Sequence, residues 1–134
     1  MTFLKSIERF NKKTAIITNT NLKVSYKNLC NKSQSITKNL IPRSLVFLLS
    51  GNNIETIFYY VGLVNSKNVI TLLDKDIKNS YLKKLINLYK PNYLILPISF
   101  PNQKGYFLNS KFKNYKIIQK AKSKKLLINK DLAI

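Results

Sequence analysis

The chain has 134 residues, 45% of them hydrophobic, and a formal net charge of +19 from 24 Lys and Arg against 5 Asp and Glu. That is the length of one domain with enough apolar content for a core. With no histidine and a single cysteine, Cys30, the sequence excludes imidazole acid–base chemistry, Cys/His and Ser/His nucleophile pairs, cysteine metal clusters and internal disulfides.

The first segment, MTFLKSIERFNKK, carries Phe3, Leu4, Ile7 and Phe10 at helical spacing and lacks the build of a signal peptide. No apolar run reaches the roughly 20 residues of a bilayer span, so the expectation is no membrane span and a cytoplasmic location. TAIIT, from Thr14 to Thr18, reads as a strand, NTN as a tight turn and LKVS, from Leu22 to Ser25, as the returning arm of a hairpin. Tyr26, Leu29, Cys30, Ser33, Ile36, Thr37 and Leu40 then mark one face of a helix that stops before Pro42, with Cys30 a small buried hydrophobe.

From Ser44 the pattern changes. SLVFLL, Ser44 to Leu49, has no polar alternation and suits a strand covered on both faces. In GNNIETIFYYVGLVN, Asn52 is placed to cap a helix with Glu55 three residues on, and Ile54, Ile57, Phe58, Val61, Leu63 and Val64 give it a broad apolar surface. NVITLL, Asn68 to Leu73, reads as a second buried strand. A helix near Lys78 to Tyr89 turns Tyr81, Leu82, Leu85, Ile86 and Tyr89 inward, and NYLILP follows as a third strand. Alternation of strand and helix with short connections predicts an α/β fold: an N-terminal β-hairpin and helices, followed by a parallel βαβαβ doubly wound sheet. Beyond Pro97, GYFLN, YKIIQ and KKLLIN read as short strands between basic loops, antiparallel or at a sheet edge. The whole, 1–134, is expected to be a single partial domain: 1–43 helix, hairpin and helix; 44–97 the βαβαβ unit; 98–134 short strands and basic loops.

Sites are sparse. The first strand-to-helix turn, LSGNNIE, matches no phosphate-loop pattern, and Gly51 reads as relief for the turn. Asp74 and Asp76 lie just past the second strand, where open α/β sheets place ligand contacts, but one of them opening the next helix is the plainer reading. Tyr59, Tyr60, Tyr81 and Tyr89 on helix faces read as packing rather than as base-stacking platforms. Only Arg9 and Arg43 are arginines, and the lysines are spread with Asn and Ile over nearly every segment, as an A/T-rich coding sequence would give. No specific nucleic-acid function is expected, only non-specific polyanion adhesion. No catalytic, cofactor-binding or metal-binding residue is assigned.

The ordered segments VSYKNL, LLSGNNIETIFYYVGLVNSKNVITLLD and KPNYLILP resemble the N-terminal portion of the acyl-adenylate-forming ligases: acyl-CoA synthetases, peptide-synthetase adenylation domains and luciferases. Val24-Ser25-Tyr26-Lys27-Asn28-Leu29 is similar to Leu-Thr-Tyr-x-Glu-Leu, with Asn28 in place of Glu, and Asn52-Asn53-Ile54-Glu55 to Asn-Ser-x-Glu. Gly62 through Asp74 aligns without gaps on Gly-Ile-Leu-Lys-Ala-Gly-Ala-Val-Val-Val-Pro-Leu-Asp. Lys67 replaces a Gly and Leu72 a Pro, so the tight turn and the kink are expected to be made differently. Asp131-Leu132-Ala133-Ile134 resembles the strand that leads into the family's Ser/Thr/Gly-rich phosphate loop.

The resemblance implies an N-terminal fragment of an enzyme that activates a carboxylate as acyl-AMP using ATP and Mg2+, and passes it to a thiol of CoA or a carrier protein. It implies that the ATP-gripping groups lie outside this chain, that the chain alone is inactive, and that its partner is the remainder of the ligase. Two alternatives stand beside it: a small basic α/β module that binds nucleic acid or anionic surfaces, and one half of a split ligase.

Overall fold

The computed structural model describes residues 14–17 and 23–121. The amphipathic segment around Phe3 to Phe10, the NTN turn, the KKLLIN strand and the Asp131 to Ile134 lead-in lie outside the described residues. Strand β1 (Thr14–Ile17) pairs antiparallel with β2 (Lys23–Ser25), and helix α1 (Tyr26–Thr37) follows at once. Ser25 caps it, its Oγ accepting the Asn28 N–H at 3.2 Å. Leu29, Cys30, Ser33, Thr37 and Leu40 are buried, the face that the spacing predicts.

The main sheet has five strands in the order β4-β3-β5-β7-β6. Strand β3 (Leu45–Ser50) pairs parallel with both β4 (Val69–Asp74) and β5 (Tyr93–Pro97). Helix α2 (Ile54–Asn65) connects β3 to β4, and α3 (Asn79–Tyr89) connects β4 to β5. The last two strands, β6 (Tyr106–Phe112) and β7 (Tyr115–Lys120), form a hairpin, and β7 joins β5 antiparallel. The parallel unit is thus extended by an antiparallel pair, with β7 interior and β6 at the edge.

Alternation along β3 and β5 explains the layers. Val46, Leu48, Tyr93 and Ile95 face α1 and α2 in one core, and Phe47, Leu49, Leu94 and Leu96 face α3 in the other. These residues are almost wholly excluded from solvent, so β3 is a strand covered on both sides. Strand β4 is not: Val69 and Leu72 are each more than half exposed, because nothing pairs with its outer edge among the described residues. Tyr81 and Tyr89 are also exposed, at 56% and 57%, leaving Leu82 as the fully buried residue of α3. On α2 the fully buried aromatic is Tyr59, while Ile57 is 40% exposed. The apolar stripes of α2 and α3 are therefore rotated from the expected faces.

The turn at Lys67 keeps the backbone that a glycine would adopt, with φ 61, and its N–H donates to the Val64 carbonyl. The lysine thus makes a left-handed turn at the position where the resembling pattern has glycine. Leu72 pairs with Leu48 in unbroken register, so no kink replaces the missing proline.

Candidate functional site

The C-terminal ends of β3, β4 and β5 meet at a cleft of about 520 Å³, lined by Asn53, Glu55, Lys75, Pro97, Ser99 and Tyr115 among others. Parallel sheets present ligand crevices at this end because the strand-to-helix turns gather there.

Each lining group has a structural reason to be there. Helix α2 is capped by Asn53, not Asn52: the Asn53 side chain accepts the Thr56 N–H at 2.9 Å and pairs with the Thr56 hydroxyl. Tyr115, on β7, crosses beneath this turn. Its hydroxyl donates to the Leu49 carbonyl at 2.8 Å and accepts from the Asn53 side-chain amide at 3.3 Å. Gly51 does not take a left-handed φ, since Gly105 is the one glycine among the described residues with positive φ. A Cβ at Gly51 would stand 2.5 Å from Cδ of Lys75, whose aliphatic stem crosses the turn.

Glu55 is buried with 7% exposure, one helical turn before Tyr59. Burial first, then the Glu55 charge, then Tyr115 push the Tyr59 phenol above its usual range, so it stays neutral. Its hydroxyl has no hydrogen-bond partner. Asp74 and Asp76 sit at the rim, exposed, and neither caps α3 as expected. Asp74 Oδ1 accepts the Asp76 N–H at 2.8 Å, an Asx turn, and the residue before α3 is Lys78, without a side-chain cap bond. Tyr60 and Tyr81 are exposed on helices and do not converge on the cleft. Cys30 is buried between α1 and the sheet.

The described residues do not fit a nucleoside triphosphate with magnesium. The Thr56 N–H at the start of α2 is taken by the chain's own Asn53, and the turn between β3 and α2 has one glycine, filled over by Lys75. Among the described residues no group of three acidic or cysteine side chains converges as a metal site. The chemistry present is a buried carboxylate, two phenols and a lysine, held by packing. Sequence reasoning missed Tyr115, whose role comes from a strand far along the chain, and the signal for it is its place within the apolar run YKII.

No protein-family model matches the chain, and no curated protein does. Solved structures do. The structure of CmiS6 superposes with a TM-score of 0.69 at 13% identity, covering 90% of this chain and 32% of that one. Apo MatB from Rhodopseudomonas palustris gives 0.57 at 21% identity over 61% of this chain and 17% of its own. An E. coli MenE variant with bound OSB-AMS gives 0.56 at 12% identity, over 84% and 32% respectively. All three are adenylate-forming ligases. The chain shares their fold. It spans a third or less of the length of each.

Proposed function

We propose that this chain is a scaffold segment of an adenylate-forming ligase, one that in complete form activates a carboxylate with ATP and Mg2+ as acyl-AMP and transfers it to a thiol. One observation carries the reading. The segments that resemble the ligases, around Asn52 to Glu55 and Gly62 to Asp74, fall at the cap of α2 and along α2–β4, in a fold matched over 90% of the chain by one of those enzymes.

On this reading the segment holds up the sheet beneath the active site and contributes no catalytic group, no metal ligand and no phosphate contact. Glu55, Tyr59 and Tyr115 serve to fix the β3–α2 turn. The purified chain is expected to show no carboxylate-dependent exchange of pyrophosphate into ATP, and measurable exchange by the chain alone would refute the assignment. The nucleotide sequence past the codon for Ile134 gives an independent check, with a Ser/Thr/Gly-rich loop bearing a lysine as the supporting result.

A further inference from the structure

The end of the sheet opposite the cleft carries a different chemistry. Going across the sheet there, the turns entering β4, β3 and β5 hold Lys67, Arg43 and Lys90, β7 ends on Lys120, and Lys104 precedes β6. Backbone hydrogen bonds tie these ends into one line. Arg43 N donates to Lys67 O at 3.2 Å, Asn92 N to Leu45 O at 2.9 Å, Lys120 N to Asn92 O at 2.9 Å, and Ala121 N to Gly105 O at 2.8 Å. At about 4.8 Å per strand the row extends roughly 19 Å. Lys38, the residue that closes α1, adds a sixth cation on the segment leading into β3. The carboxylates of the described residues, Glu55, Asp74 and Asp76, are all at the other end, on the turns that follow β3 and β4.

Two further features lie on this edge, though neither is confined to it: Lys113 in the β6–β7 turn also has positive φ, and other apolar side chains are exposed elsewhere. Arg43, Lys67 and Lys90 each occupy a left-handed backbone position, with φ 63, 61 and 49, where glycine is the unstrained residue. Three cations thus stand where the fold would be better served by no side chain. Aliphatic groups accompany them: Ile41 is 59% exposed beside Arg43, and Leu88 is 69% exposed beside Lys90.

We infer that this edge docks on an anionic lipid surface, the lysines and Arg43 meeting headgroup phosphates and carboxylates while Ile41 and Leu88 enter the interfacial layer. The aliphatic groups decide the class of partner. They gain nothing against a phosphodiester backbone, whereas a basic face edged by apolar side chains is what a bilayer interface attracts. The inference does not depend on the ligase reading.

The test is sedimentation of the full 134-residue chain with vesicles of phosphatidylcholine alone, or mixed equally with phosphatidylserine. The unaltered chain is expected to bind the mixed vesicles and not the neutral ones, and to be released by salt. Arg43→Gly/Lys67→Gly/Lys90→Gly removes charge while relieving the backbone, so it keeps the fold and loses roughly a hundredfold in partitioning, at about fivefold per cation. A matched control, Lys27→Gln/Lys83→Gln/Lys84→Gln on exposed helix surfaces, changes net charge equally and is expected to keep most of the binding. Lys38→Gln/Lys104→Gln gives a second, fold-neutral reading, with a loss of roughly twentyfold, and Ile41→Ser/Leu88→Ser lowers binding to the mixed vesicles without touching charge. Equal losses in the two triple variants, indifference to phosphatidylserine, or binding that Ile41→Ser/Leu88→Ser leaves unchanged would each overturn the assignment. Tighter binding to polyuridylate than to the mixed vesicles would replace it with a nucleic-acid surface.

Discussion

Gly62 shows how much one hydrogen atom can decide. A Cβ there would lie 2.5 Å from the Ser33 carbonyl oxygen and 2.6 Å from the Thr37 hydroxyl oxygen, so the glycine sets how closely α1 and α2 approach. Gly62→Ala is expected to cost about 1 to 3 kcal/mol by chemical denaturation, since the obstacle is backbone rather than a flexible side chain. Across the same contact Ser33 is fully buried and its hydroxyl has no partner. Ser33→Ala should therefore leave stability unchanged or raise it by about 1 kcal/mol, the desolvation of an unpaired hydroxyl being relieved. Tyr106 gives a pH signature: its hydroxyl donates to the Pro91 carbonyl at 2.5 Å, and burial pushes its pKa from 10.0 to about 12. The folded value is the higher one, so this contribution is full below pH 10.0 and is lost as pH rises from there through about 12. Thermal melts across that window should fall less steeply in Tyr106→Phe. The glycine at 62 was legible as part of a family-like run, but its reason was not, because the Ser33 carbonyl that it meets belongs to another helix.

At the scale of elements, strand β3 and the buried face of α1 were legible because their apolar runs are unambiguous: Val46 to Leu49 has no polar interruption, and Leu29, Cys30, Ser33 and Thr37 keep one helical stripe. Strand β4 was misjudged because Val69 to Leu73 looks like an interior strand, and only the strand order places it at an edge. The caps were off by one residue at α2, where Asn52 and Asn53 are chemically equal and only the path of the turn chooses between them. The cleft was legible in location, at the strand ends, but not in content, because Tyr115 arrives from β7. Edges β4 and β6 expose Val69, Leu72, Phe107 and Leu108, apolar groups beside backbone that no strand among the described residues pairs with. Such edges recruit other chains. Leu72→Lys should lower the light scattering of concentrated samples while changing the melting temperature little, since Leu72 already faces water.

For the whole molecule, the two cores on either side of one sheet explain why a chain with this charge can fold. The cations are placed at turns, strand ends and helix surfaces, and Lys116, buried at 7%, is accommodated by the Phe100 carbonyl and the Asn102 side chain, each at 3.3 Å. The parallel strands and the antiparallel hairpin reach this arrangement by unequal routes. Phe112 and Tyr115 face each other across only Lys113 and Asn114, so β6 and β7 can close locally, on a scale of about 1 to 10 microseconds. The parallel pairings must first bring distant residues together across α2 and α3, the slower and entropically costlier task. Chain collapse is thereby given a direction in time: a ready-made ribbon bearing Ile117 and Ile118 offers β5 an apolar rail before β4 has found its place. Truncating Ile117 to Val should retard refolding in stopped flow, whereas Leu73→Ala should chiefly hasten unfolding.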